Sequence, residues 1–173
     1  MIFNLKTEQY VDCYYREVGI EEVGEYVPPQ WIFNFKKEYA AQFDVFTMET
    51  KEYPGIAQGV VALQVQNEEE TIFLKSAEAA HSNKTFFRGL EREGYNEDRI
   101  YTGVGANLVA FACQYSLEKG CHGHIHLVSK TQTVPFYQKL GGQLFTAQNI
   151  LFSESAGAQL AKKFFPGGAI KWL

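Results

Sequence analysis

The chain is poor in most features that would narrow its class at once. Its three cysteines, Cys13, Cys113 and Cys121, are odd in number and have no CxxC spacing, so reduced thiols are expected in place of a disulfide frame. No apolar run approaches the ~18 residues of a membrane span. The opening MIFNLKTEQY also lacks the apolar core of a signal peptide, so no membrane partner is expected and the location reads as cytoplasmic. With five prolines and no Pro-, Gly- or Ser-rich linker, residues 1–173 read as one domain. Positive charge is outnumbered, with 16 Lys and Arg against 20 Asp and Glu. The net charge of −4 argues against a phosphate-backbone surface, so no nucleic-acid partner is expected, and it suits an amine partner slightly better.

Aromatic residues, by contrast, are plentiful, with 14 Phe and 10 Tyr. They allow a large core or a ring-walled pocket. Thr7 to Val18 predicts a helix with Thr7 as cap, Gly19 as stop, and Tyr10, Cys13, Tyr14 and Val18 on one face. After Pro28-Pro29, a second helix is predicted over Trp31 to Phe43, whose ring stripe reads first as core packing. Asp44 to Thr50, Ile56 to Gln66 and Thr71 to Ala77 predict three strands of a meander, joined by turns at Tyr53-Pro54-Gly55 and Asn67 to Glu70. His81 to Arg99, with Gly89 and Gly94, reads as a polar surface excursion, of functional or mobile type.

The pattern then changes. Val104, Leu108, Phe111, Ala112 and Tyr115 make a helical stripe closed by Lys119-Gly120, and His124 to Ser129 predicts a strand. Thr133-Val134-Pro135 starts another helix, Leu144 to Phe152 predicts a single strand, and Ser153 or Ser155 caps a helix ending near Phe165. Ala169 to Leu173 reads as a last edge strand. The sum is α/β: helices, a meander, then β-α-β-α-β around a mixed sheet.

Gly103-Val104-Gly105-Ala106 opens the long helix after a polar loop. Glycines let a backbone approach closely, and free helix-opening N–H groups point at an anion. The run is neither a Rossmann fingerprint, since its third glycine would fall at Leu108, nor a Walker A loop. By itself it is equally a glycine turn entering a helix. His122, His124 and His126 alternate beside Cys121, which makes a metal site conceivable, although alternate strand positions ~7 Å apart reach one ion poorly. No metal is expected.

Taken in order, the Gly103–Ala106 turn, the helix, the strand and then Phe136-Tyr137-x-x-Leu140-Gly141 resemble the GNAT superfamily of N-acetyltransferases over roughly residues 56–152. Two positions depart from the family pattern. Ile100 stands where a basic or amide side chain leads the turn, with Arg99 one residue early, and Lys130 stands where Asn is common. Glu78-x-Ala80-x-x-Asn83 also looks like the strand-four exit of a poorly characterised branch.

The resemblance implies a mostly antiparallel central sheet flanked by helices, the GNAT-like acyl-CoA N-acyltransferase fold, with acetyl-CoA as co-substrate. It implies cofactor contacts at Ala77, Thr102, Gly103, Val104, Gly105, Ala106, Asn107, Lys130 and Phe136, with Tyr137 as general acid. Glu78 is the first candidate base and Glu70 the second. The implied activity is acetyl transfer by direct attack of a primary amine, on a small molecule or a peptide. The alternative is a catalytically silent coenzyme-A-sensing or protein-interaction domain, and a homodimer stays open.

Overall fold

The computed structural model describes residues 1–87 and 94–173; Gly89 of the expected excursion lies outside the described residues. In chain order the elements begin with β1 Ile2–Asn4, β2 Gln9–Val11, β3 Cys13–Glu17, α1 Phe35–Ala40, β4 Asp44–Thr50, β5 Gly59–Gln66, β6 Thr71–Ala79 and β7 Phe86–Phe87. They continue with β8 Gly94–Tyr95, β9 Tyr101–Thr102, α2 Val104–Glu118, β10 Ile125–Val128, α3 Val134–Lys139, β11 Gln143–Thr146, β12 Asn149–Phe152 and α4 Glu154–Phe164. The main sheet has the strand order β11-β12-β10-β6-β5-β4-β3 and is mostly antiparallel; β1, β2 and β9 form a small second sheet.

By contacts, the expected 1–173 domain divides into two compact units. One comprises Met1–Ala62, Ser76–Leu108 and Lys171–Leu173; the other comprises Leu63–Lys75 and Val109–Ile170. In the first unit the core gathers Val18, Val23, Tyr26, Trp31, Phe35, Val45, Val60, Ala62 and Ala80, with Phe33, Tyr39 and Phe43 packed against it. Trp31 meets Tyr26 and Phe35 edge-on, at centroid distances of 5.7 and 6.1 Å. The ring stripe is therefore core, as its spacing suggested. The predicted helix is shorter and carries only part of the stripe: α1 covers Phe35–Ala40, with Asn34 capping it by accepting the Lys37 N–H, so Trp31 and Phe43 lie outside it.

Thr7 to Val18 is not a helix. Cys13 and Tyr15 point inward at period 2, and β3 pairs with β4 from Cys13↔Thr50 to Glu17↔Phe46. Tyr10, Cys13 and Tyr14 also satisfy helical spacing, but a run rich in aromatics beside an open strand edge gains more by pairing. The tail is no edge strand either: Tyr15 donates to the Lys171 carbonyl and accepts from Leu173 N–H, which makes one isolated bridge.

In the second unit β10 lies parallel to β6 through Ile125↔Ile72, His126↔Phe73 and Leu127↔Leu74. That register ends at Leu74, although β6 runs on to Ala79. Leu144 to Phe152 is a hairpin of β11 and β12, broken at Ala147, whose φ is +46°. α4 starts at Ser153, whose side chain accepts the Ala156 N–H as expected of a cap. It rests on the turn before β10 so closely that a Cβ on Gly157 would lie 1.8 Å from the Gly123 carbonyl oxygen.

Candidate functional site

In the first unit the predicted glycine turn has the conformation that demands glycine. Gly103 sits at φ +85°, left-handed backbone that L side chains adopt at a cost. Its carbonyl accepts the Asn107 N–H at 2.9 Å, the first i→i−4 bond of α2. The amides of Val104, Gly105 and Ala106 precede that bond and have no intrahelical acceptor. Three N–H groups without an intrahelical acceptor, at the positive end of a fifteen-residue helix, suit an anion such as a pyrophosphate.

Asn107 falls outside that group. Its N–H is spent on Gly103, its Oδ1 accepts the Tyr15 hydroxyl at 2.6 Å, and its Nδ2 donates to the Met1 carbonyl at 3.1 Å. The side chain is fully buried and ties α2 to β3 and to the chain start. Burial likewise pushes the Tyr15 phenol well above its ordinary value, so it stays a neutral donor.

β9 delivers the turn. Tyr101 is buried, its hydroxyl donates to the Glu52 carboxylate and sits 3.3 Å from Thr50 Oγ1, and its ring meets Tyr53 edge-on. Burial, and then the Glu52 hydrogen bond, raise its phenol to about 12. Thr102 pairs with Phe3 across the small sheet. Arg99, one residue before Ile100, donates from Nη1 to Thr85 Oγ1 at 2.7 Å.

Ala77 is half-buried on β6 and Glu78 is buried beside it. Both Glu78 oxygens accept the Ile32 N–H at 3.0 Å, Oε2 also accepts the Phe33 N–H at 3.1 Å, and Lys84 closes an ion pair on Oε1. Glu78 thus moors the approach to α1. One residue before Ala77, the Ser76 hydroxyl donates to the Glu38 carboxylate of α1. The β6 exit and the opening of α2 meet at Gly59, where a Cβ would stand 3.0 Å from Val104 Cγ1 and 3.2 Å from the Glu78 carbonyl oxygen.

In the second unit Tyr137 lies half-buried on α3, and burial raises its phenol above the usual 10. Phe136, 39% exposed, meets it edge-on at 5.1 Å. Lys130 is exposed, and its carbonyl accepts from Thr133 just before α3. Glu70 is exposed in a tight turn at φ +49°.

The histidine triplet does not share one strand face. His122 sits in a turn at φ +57°, β10 begins only at Ile125, and His126 stacks on Phe73 at 4.8 Å. Among the described residues, no group of three or more His, Cys, Asp and Glu is placed to hold a metal. All three cysteines are buried, and desolvation raises their thiols, Cys113 to about 12. Among the described residues, no helix is long and apolar enough to cross a membrane.

No family model matches the chain, and no curated protein matches it in sequence. Solved structures do match in shape. The AtaTR complex bound with acetyl-CoA aligns at TM-score 0.57 and 14% identity, covering 86% of this chain and 98% of that one. The chain has the GNAT acetyltransferase fold. AtaT complexed with acetyl-methionyl-tRNAfMet aligns at TM-score 0.56 and 12% identity, covering 86% and 99%. A spermidine N-acetyltransferase SpeG chimera from Vibrio cholerae and hSSAT aligns at 0.55 and 13%, covering 84% and 98%.

Of the features read from the sequence, the glycine turn is found where it was expected, with Gly103 in left-handed backbone at the start of α2; the parallel β6–β10 pair that stops at Leu74 is seen only in the structure. Sequence reasoning gave no role to Asn83, Ser76 or Glu38. Their partners lie 18 or more residues away in the chain, and only the Glu78-x-Ala80-x-x-Asn83 spacing hinted at the first of them.

Proposed function

We propose that this protein is an acetyl-CoA-dependent N-acetyltransferase acting on a primary amine. One observation carries the reading: in a chain with the GNAT fold, Gly103 holds a left-handed turn that leaves the Val104, Gly105 and Ala106 amides open to an anion. Those amides, with Thr102 and Gly103, are the groups we assign to the pyrophosphate, and Ala77 to the acyl end. Lys130 and Phe136 are assigned to the rest of the cofactor. Acetyl-CoA supplies the activated thioester.

The acceptor must arrive as a neutral amine, so its ammonium proton is removed before attack on the carbonyl carbon. As the C–S bond breaks, the departing sulfur takes a proton, and Tyr137 is assigned as its donor. A phenol raised by burial stays protonated at neutral pH and retains the proton to give. Glu78 is the candidate base. To act, it would have to release Lys84 or one of the two amides it holds. Structures of similar fold include a spermidine N-acetyltransferase and AtaT with an acetylated aminoacyl-tRNA, and those names support an amine acceptor.

The test is a panel of polyamines, amino acids, aminoglycosides and peptides, incubated with acetyl-CoA and read by thiol release with mass detection of the acetylated product. Turnover on at least one amine is expected. Tight coenzyme A binding with no turnover on any class would refute the transferase reading and return the sensing alternative.

A further inference from the structure

The run Glu78-x-Ala80-x-x-Asn83 occupies the exit of β6, and its polar groups are spent on neighbours within the first unit. Ala80 donates its N–H to the Gln58 carbonyl at 2.9 Å and accepts the Asn83 N–H at 2.8 Å, which turns the chain through the single 3-10 turn His81–Asn83. Asn83 is 5% exposed, and its carboxamide is used at both ends. Nδ2 donates to Gln58 Oε1 at 2.9 Å, and Oδ1 accepts the Tyr101 N–H at 3.0 Å.

The second bond has a definite purpose in the ladder. β1 and β9 run antiparallel with Asn4 opposite Tyr101 and Phe3 opposite Thr102, and Leu5 donates its N–H to the Ile100 carbonyl. Bonded and non-bonded pairs alternate in such a ladder, so Tyr101, next to the bonded Leu5–Ile100 pair, turns its N–H away from β1. Asn83 meets that N–H in place of a second neighbouring strand. Tyr101 is fully buried, so without Asn83 the N–H would be left unpaired and away from water. Two residues later comes Gly103 with its left-handed backbone. Side-chain contacts of Tyr101 with Glu52, Thr50 and Tyr53 fix the ring, whereas Asn83 fixes the main chain that enters the turn.

We propose that Asn83 is a positioning residue for the pyrophosphate of coenzyme A: it aims the Val104–Ala106 amides by holding the backbone of Tyr101, without touching the cofactor itself. The proposal rests on the acetyl-CoA reading above. It separates Asn83 from a purely structural residue, because only ligands with a pyrophosphate should feel its loss.

The experiment compares the wild type, Asn83→Ala and Gln58→Ala for affinity toward coenzyme A and toward S-acetylpantetheine, which lacks the pyrophosphate, by NMR titration, with melting curves alongside. Gln58→Ala removes the side-chain acceptor of Nδ2, keeps the longer bond to the Gln58 main-chain carbonyl at 3.3 Å, and leaves the Tyr101 bond in place. Asn83→Ala is expected to weaken coenzyme A binding about tenfold while S-acetylpantetheine changes less than about twofold. Gln58→Ala should lower the melting temperature and leave the ratio of the two affinities unchanged. Equal losses on both ligands, or no loss with Asn83→Ala, would overturn the positioning role.

Should Asn83→Ala fail to fold, hydrogen exchange on the wild type decides. A slowly exchanging Tyr101 amide supports the bond, and exchange at the open-chain rate overturns it. A wild type that binds no coenzyme A refutes the acetyl-CoA reading and the positioning role with it. Normal wild-type binding with an unshifted Asn83→Ala ratio refutes the positioning role alone.

Discussion

Replacing Gly103 by alanine perturbs one dihedral and almost nothing else. A Cβ at this position would meet no heavy atom within 4 Å, so no steric clash enters the cost. What remains is the penalty of holding an L-residue at φ +85°, about 1–2 kcal/mol. The chain can absorb it in two ways. If the turn keeps its shape, stability falls by that amount, which for a chain of this length is about 2–8 °C in melting temperature. If the turn flips to relieve the strain, the Val104–Ala106 amides lose their aim, and coenzyme A affinity falls instead, by about 5–30-fold. The two losses share one source, so their sum should stay near the strain energy however it is divided. Gly103→Asn is the internal control, because asparagine tolerates the left-handed region, and it should lose less on both axes. Melting curves with and without coenzyme A, together with calorimetric titration, measure both quantities. An alanine variant with wild-type melting temperature and wild-type affinity would show that the Gly103 dihedral carries nothing and does not shape an anion site.

Tyr137→Phe should reduce turnover by about 100-fold or more while coenzyme A affinity stays within about twofold; unreduced turnover would remove the acid role. Glu78→Gln keeps the shape of the side chain and deletes its charge, and as loss of a base it should cut turnover by at least about 100-fold across the pH range. A fall in melting temperature alone, with turnover kept, would leave Glu78 as the mooring of Ile32 and Phe33 only. Stability should decline on the alkaline side, because the Cys113 thiol is raised by burial from 9.0 to about 12 and the Cys13 thiol to about 11. With the folded value raised, the contribution is complete below pH 9 and is lost as pH climbs toward 12. At pH 10 Cys113 alone accounts for about 1.4 kcal/mol, so urea midpoints should drop between pH 8 and 10 in the wild type and less in Cys113→Ala; a flat profile contradicts the burial. Gly157→Ala would drive a methyl into the Gly123 carbonyl, so it should destabilise by about 3 kcal/mol or more, measured as soluble yield and melting temperature. A wild-type melt would mean that α4 can move off the turn freely.

What could be read from the sequence depended on how local its cause was. Asp44–Thr50, the start of α2 and the Ser153 cap each arise within a few residues, through β-branched content, a glycine turn or a side chain reaching three residues on, and all three were legible. Thr7 to Val18 was not, because Tyr10, Cys13 and Tyr14 satisfy helical spacing while Cys13 and Tyr15 satisfy strand spacing. β4 decides between them, and it lies some 30 residues downstream. The break inside Leu144 to Phe152 was hidden for another reason. Its left-handed residue is Ala147, and no glycine or asparagine occupies that position to mark it.

The same division runs through the site. Gly103 was legible because only a glycine sits comfortably at that backbone angle, so the residue type itself records the geometry. Glu78 and Asn83 were visible as residues but not as roles: a buried carboxylate or carboxamide is defined by what it holds, here Ile32, Phe33 and Lys84 for the one and Tyr101 and Gln58 for the other. The cofactor site proposed at these backbone amides therefore leaves a mark in the sequence, since such a turn restricts which residues can stand in it. Contacts between side chains on separate elements leave no such mark, since each residue type is ordinary at its own position. A contact such as Ser76 on β6 with Glu38 on α1 has no sequence signature and appears only once the strand and helix are folded. That asymmetry is physical, and it is why the amine must be found by assay while the cofactor can be argued from Gly103.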